Sequence, residues 1–291
     1  MTMEQRKRIR KKQRARQRFL LILTLIIGFA AGVVFTVFMS QNYTVVISDS
    51  GKTQTPEPTE NEPTEDIFEE SVTEEPELEK LPKNNKLIAI DAGHQQKGNF
   101  AKEPIAPGAS ETKAKVASGT SGVSTKIPEY EVTLDVSLLL EKELKARGYD
   151  VVMIRRTNDV DISNSERAQI ANDAQADAFI RIHCNGLDNS SAKGALTMCQ
   201  TSSNKYCGDL YRQSRLLSDC VIDSLCRQTG AKNLGVSETD SMSGINWCRV
   251  PVTIVEMGFM TNPEEDKLLC DAGYQEKLAI GIANGIDNYF R

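Results

Sequence analysis

The chain has 291 residues, enough for one large domain with appendages or for two small domains. With 40% hydrophobic and 26% charged residues it is neither collagen-like, nor wholly disordered, nor a multi-span membrane chain. The net charge of −5 hides an asymmetry: residues 1–18 carry nine Lys and Arg against Glu4 alone, and residues 40–83 carry twelve Asp and Glu against Lys52, Lys80 and Lys83. The remainder is mildly acidic, and a single Trp with 6% aromatic residues provides no base-stacking platform, so nucleic acid is not an expected partner.

In chain order, the basic block ending at Arg18 is followed by residues 19–39, an uncharged apolar run of 21 residues. As a helix this run spans about 31 Å, matching a hydrocarbon core of about 30 Å. It is too long for a signal-peptide core and no small-x-small cleavage site follows Met39, so an uncleaved transmembrane anchor is expected. The positive block before it places the N-terminus in the cytoplasm and everything after Ser40 on the extracytoplasmic side of the cell membrane. Residues 40–83 are rich in Pro, Glu and Thr, bury almost nothing, and are expected to be a disordered acidic linker.

Residues 84–291 read as one α/β domain. Apolar runs at 87–91, 151–154, 178–183, 194–199 and 252–256 read as strands. Between them, Val132, Val136, Leu139, Leu140 and Leu144 form a helical stripe ended by Gly148. Ser163 or Asn164 can cap a helix reaching about Asp173. Leu210, Leu217, Val221 and Leu225 mark another, and Tyr274, Leu278, Ile282, Ile286 and Tyr289 a C-terminal one. Such alternation predicts a mostly parallel sheet covered by helices on both faces.

In such a sheet, reactive groups gather beyond the carboxyl ends of the strands. The chain has two histidines; His94 follows the first strand after Gly93, and His183 ends another. Glu256 ends the strand VTIVE. This set suits a catalytic zinc, which takes three protein ligands of the His and carboxylate type and keeps a fourth position for water. Glu129 and Glu131, opening the first long helix, are both candidates for the third ligand. Glu256, desolvated at an apolar strand end, suits the proton-transfer role, against the alternative that it pairs with Arg249.

These residues carry a resemblance. The stretches IAIDAGH ending at His94, Glu129 with Leu134 and Gly148, Arg156 with Asp159, Arg167 with Ala171 and Asn172, IHCNG from Ile182, and PVTIVEMGFMTNPEED from Pro251 stand in order along the domain. From about Lys86 to Arg291 the chain resembles the zinc-dependent N-acetylmuramoyl-L-alanine amidases of bacterial cell walls, of the amidase-3 type. The resemblance implies a six-stranded α/β domain and one Zn²⁺ held by His94, Glu129 and His183, with Glu129 chosen over Glu131 by its family spacing from Gly148. It implies Glu256 as the catalytic carboxylate. The implied substrate is peptidoglycan, cut at the amide between N-acetylmuramic acid and L-alanine. A zinc peptidase cutting within the stem peptide, and a non-catalytic wall-binding module, are the alternatives. No wall-binding repeat is visible, so localisation would rest on the anchor or on partner proteins.

The chain also departs from the family pattern, which usually has Ser at the position of Arg181 and a small residue at that of Cys184. Because strand neighbours point to opposite faces, neither change is expected to touch the metal. Residues 106–125, rich in Gly, Ala, Ser, Thr and Lys, lie in a stretch longer than usual between His94 and Glu129. They are expected to be a mobile loop affecting substrate access or a disordered insertion. All seven cysteines follow the anchor, where disulfides can form; the odd number leaves at least one free, and Cys220 and Cys226 are too far apart on one helix to pair. A Cys184–His183 hydrolase pair is disfavoured because the two face apart. Glu264, Glu265 and Asp266 are expected to charge the start of a helix rather than to bind anything.

Overall fold

The computed structural model describes residues 84–291. The basic segment 1–18, the anchor 19–39 and the linker 40–83 lie outside the described residues. Among the described residues no helix is long and apolar enough to cross a membrane.

Eight strands form: β1 (Leu87–Ala92), β2 (Asn99–Pro104), β3 (Thr112–Val116), β4 (Asp150–Met153), β5 (Ala178–Asn185), β6 (Ala195–Cys199), β7 (Asn233–Glu238) and β8 (Val252–Phe259). The helices are α1 (Glu129–Ala146), α2 (Asn164–Asp173), α3 (Tyr211–Thr229), the single turn α4 (Ser243–Asn246), α5 (Pro263–Leu269) and α6 (Ala272–Tyr289). Six strands make one sheet in the order β4-β1-β5-β8-β6-β7. Four of its five pairings are parallel; β6 runs antiparallel to β8 and carries β7 with it.

The central strands are apolar on both sides because both faces are covered. Ile88, Ile90, Ile180 and Ile182 point to one face, where they meet Val132, Val136, Leu140 and Leu144 of α1, Leu217 and Val221 of α3, and Ile282 and Ile286 of α6. Each such side chain, fully removed from water, contributes about 1.5–3 kcal/mol. The alternate residues Ala89, Phe179, Val252 and Ile254 face Ala168 and Ala171 of α2 and Ile245 of α4. The start and stop signals act as the sequence predicts. Ser163 and Glu166 form a reciprocal capping box on α2, and Gly148, at φ +84°, receives the chain as it leaves α1.

Three strands escape the sequence reading. β7 is a polar edge strand whose residues are half-buried or exposed, so it has no apolar alternation to detect. β2 and β3 form a separate antiparallel ribbon between His94 and Glu129, and β3 falls within residues 106–125, expected to be a mobile loop or a disordered insertion. The acidic trio at the start of α5 also does more than expected. Asp266, fully buried, accepts the backbone amides of Ser124 (2.6 Å) and Thr125 (2.8 Å) and the Thr125 hydroxyl (2.6 Å). Glu265 accepts the amides of Gly194 and Phe259, each at 2.7 Å. These carboxylates clamp loops that frame the site. All seven cysteines are free, five of them buried.

Candidate metal centre

Parallel strands aligned in register present their carboxyl ends along one edge, and β1, β5 and β8 are consecutive in the sheet. His183 of β5 stands directly opposite Glu256 of β8 in the ladder, so the two side chains share a face. Ala92 of β1 stands opposite Ile182, and the chain then turns through Gly93 to His94. His94 is held in the left-handed region at φ +60°, a conformation costly for a residue with a Cβ and kept only where its surroundings over-determine it.

Those surroundings are two buried arginines. Arg167, fully buried, donates to Asp91 Oδ1 (2.6 Å), to the carbonyls of Ala92 and His94 (each 3.0 Å) and to Gln95 Oε1 (2.9 Å). Arg155 donates to the carbonyls of Ala92 (2.7 Å), Gly93 (3.0 Å) and Tyr130 (2.8 Å). Together they fix the backbone from Asp91 to Gln95. Sequence reasoning singled out Arg156, which instead lies at the surface and pairs with Glu141; its neighbour Arg155 does the structural work.

Glu129 is the first residue of α1, after Pro128 in extended conformation, and is buried. Its Oε2 accepts the Thr120 amide (2.8 Å) and its Oε1 the Cys184 amide (2.9 Å). A carboxylate at a helix N-terminus is also favoured by the helix dipole. Glu131 is not part of the group that Glu129 forms with His94 and His183.

His94 Nε2, His183 Nδ1 and Glu129 Oε1 form a nearly equilateral triangle. The separations are 3.1 Å between the imidazoles and 3.2 and 3.3 Å from each to the carboxylate. Three donors sharing a tetrahedral zinc at about 2.0–2.1 Å stand about 3.3 Å apart, so the set fits the ion. The proton positions point the same way. His94 Nδ1 lies 2.9 Å from the Ala117 carbonyl, which can only accept, so Nδ1 carries the proton and the neutral ring turns the Nε2 lone pair towards Glu129. Only positive charge between them relieves that opposition. Without a metal the charge is a proton: burial works against it, but the hydrogen bond and charge of Glu129 raise the His94 pKa above its usual value. Although burial opposes it as well, the two imidazoles hold Glu129 well below the carboxylate range. Burial lowers His183 to about 4, keeping it neutral and ready to ligate, and its Nε2 has no partner among the described residues.

Glu256 borders the triangle. Its buried Oε2 has no hydrogen-bond partner among the described residues, and no ion pair with Arg249 forms. Burial, then the nearby Glu129 charge, raises its pKa to about 8.

Two grooves meet at His94, His183 and Glu256. One, of about 430 Å³, is walled by the β2–β3 ribbon and by residues 241–244, with Arg181 in its lining. The other runs past Thr120, Asn185, Leu187 and Thr261. Lys113 of β3 donates across the first groove to the Ser241 carbonyl (2.6 Å). Arg181 thus lines the first groove, while its own hydrogen bonds run to Asp91 and Asn164 rather than to the three donors. Arg181 lies two residues before His183, and a strand's period of two puts them on the same face. Cys184 does turn away, yet its backbone amide grips Glu129.

A family model described as N-acetylmuramoyl-L-alanine amidase matches residues 88–288. The N-acetylmuramoyl-L-alanine amidase LytC of Bacillus subtilis (strain 168) is 30% identical over 172 residues, which is 59% of this chain and 33% of LytC. The uncharacterized protein YqiI of the same organism is 30% identical over 209 residues, covering 72% of this chain and 87% of YqiI. Among solved structures, the catalytic domain of CwlV, an N-acetylmuramoyl-L-alanine amidase from Bacillus (Paenibacillus) polymyxa var. colistinus, is 27% identical with a TM-score of 0.56, covering 70% of this chain and 98% of that domain. This chain thus spans a third of LytC's length but nearly the whole of the CwlV domain. It belongs to the N-acetylmuramoyl-L-alanine amidase family of the amidase-3 type.

Proposed function

We propose that this chain is a zinc-dependent peptidoglycan amidase that hydrolyses the amide between N-acetylmuramic acid and L-alanine. The observation that carries the reading is the triangle of His94, His183 and Glu129 with the unpartnered carboxyl of Glu256 beside it, in a chain of this family. His94, Glu129 and His183 would hold one Zn²⁺. A zinc ion so held supplies a Lewis acid for the scissile carbonyl and a nucleophilic water at neutral pH. Glu256 would take the proton from the attacking water and deliver it to the leaving nitrogen of L-alanine. Its burial suits the exchange, because desolvation holds its pKa above that of an ordinary glutamate and makes it a stronger base. Arg155 and Arg167 would keep His94 in its strained backbone conformation through the cycle. We further propose that residues 19–39 anchor the domain on the extracytoplasmic side of the cell membrane; the basic block before this uncharged run supports that orientation.

The test combines metal analysis with mass spectrometry of digested cell wall. The chain should bind one zinc and release products bearing a free L-alanine amino terminus and an unsubstituted lactyl carboxyl. Fragments cut inside the stem, with L-alanine still on the muramic acid, would assign a peptidase instead. Glu256→Gln should keep the zinc and lose turnover, whereas His183→Ala should lose both.

A further inference from the structure

We propose that Arg181 makes the groove beside the metal centre a carboxylate-binding subsite, which seats the anionic peptide arm of the substrate there and leaves the second groove to the glycan. This rests on the amidase reading and goes beyond it, because the family resemblance assigns no such role to this position.

The argument begins with charge. Arg181 is only 3% exposed, and a buried guanidinium needs a partner for its charge and for its donors. Its Nε donates to Asp91 Oδ2 (3.0 Å) and its Nη2 to Asn164 Oδ1 (2.8 Å). Asp91, however, is already taken on its other oxygen by Arg167 at 2.6 Å. One carboxylate therefore serves two guanidinium groups, and one positive charge is left over. Nη1 of Arg181 donates to no acceptor among the described residues; it lies against Gly244, where even an added Cβ would collide with it. Arg155 is also buried without a carboxylate, but it spends its donors on backbone carbonyls and does not line the groove. Arg181 does line it, in company with His94, His183 and Glu256.

The rest of that groove has the same sign. Lys102 and Lys113 stand on its ribbon wall, and Glu256 is the one acidic residue in its lining. The second groove has no Lys or Arg and offers Thr120, Asn185 and Thr261, side chains suited to hydroxyl and acetamido groups. The two grooves meet at the candidate reaction centre, so an extended substrate crossing it lies with one arm in each. The proposed substrate is asymmetric in the same sense. Its sugar arm is uncharged once the lactyl carboxyl is in the scissile amide, and its peptide arm bears the free carboxylates. Charge matching orients the peptide along Arg181, Lys102 and Lys113.

The experiment compares two muramoyl-pentapeptides that differ only in the residue after L-alanine, one with a free α-carboxylate (D-isoglutamate) and one with the carboxamide (D-isoglutamine). The full zinc-loaded chain should favour the carboxylate at least about tenfold in kcat/KM, the worth of one hydrogen bond to a charged group. Arg181→Ser, the residue the family usually carries there, should remove that preference by raising KM for the carboxylate substrate alone. Lys113→Ala, a change at a half-buried position on the ribbon, should reduce it by a smaller factor. Calorimetric binding of the matching free peptides to wild type and Arg181→Ser gives a readout independent of turnover. Cleavage of both substrates by wild type without discrimination overturns the subsite and leaves the amidase reading in place. Arg181-dependent binding of the anionic peptide with no L-alanine termini released overturns the amidase reading and leaves the subsite standing.

Discussion

Replacing Glu256 by Gln tests the electrostatics of the site apart from its chemistry. In the metal-free protein the Glu256 carboxyl titrates at about 8, against 4.5 for an ordinary glutamate. A group that holds its proton more tightly when folded gives its full stability below the unfolded pKa and loses it as pH rises through the folded one. Wild type should thus lose about 1.4 kcal/mol per pH unit between 4.5 and 8 from this residue alone. At pH 7 the loss is about 3 kcal/mol, and a Gln side chain of the same shape escapes it. For a domain of this size that corresponds to a rise in Tm of roughly 6–12 °C for Glu256→Gln. The assay is thermal unfolding of both proteins, stripped of metal, from pH 4.5 to 8.5. The two Tm curves should meet at the acid end and diverge as pH rises. Zinc should then narrow the gap, since a nearby dication stabilises the carboxylate. Equal Tm values at pH 7–8 in the metal-free proteins would refute the claim that Glu256 is desolvated and unpartnered.

Three further outcomes follow from the geometry. Gly93→Ala places a Cβ 2.6 Å from His183 Nδ1; the ring must move, and zinc affinity in a chelator competition should fall about 10–100-fold, the usual cost of disturbing a ligand's support. Asp91→Asn removes the carboxylate shared by Arg167 and Arg181, which should cost about 3–5 kcal/mol in urea unfolding. In wild type Asp91 has a pKa of about 2, below its ordinary 3.8, so its stabilisation is present above pH 4 and is lost as pH falls through 2. Asp266→Ala leaves Ser124 N, Thr125 N and the Thr125 hydroxyl unpaired; a loss of about 3 kcal/mol is expected in the same assay. Because Thr120 in that stretch also grips Glu129, zinc affinity should fall with it.

The sequence was most informative where one local rule sufficed. The α1 stripe, the Ser163 cap and the apolar strands β1, β5 and β8 each follow from periodicity or a capping residue, and those strands place His94, His183 and Glu256 at one sheet edge. Reading failed where the signal was polar. The β2–β3 ribbon and β7 bury little, so no apolar alternation marks them. Asp266 looked like a helix-start charge because its partners, Ser124 and Thr125, lie more than 140 residues upstream. Arg181 was within reach of sequence reasoning: a residue two places from His183 on a strand shares its face.

The apolar strands and the long helices, the membrane-length run and the residues able to ligate a metal were written in the chain, because each depends on neighbours close in sequence or on residue type alone. The placing of Glu129 rather than Glu131 beside the two histidines, the 3.1–3.3 Å spacing of the three donors and the sharing of Asp91 by two arginines were decided by tertiary structure. They depend on which strands lie side by side and on which buried carboxylate is already spoken for, and those facts arise only when distant segments pack.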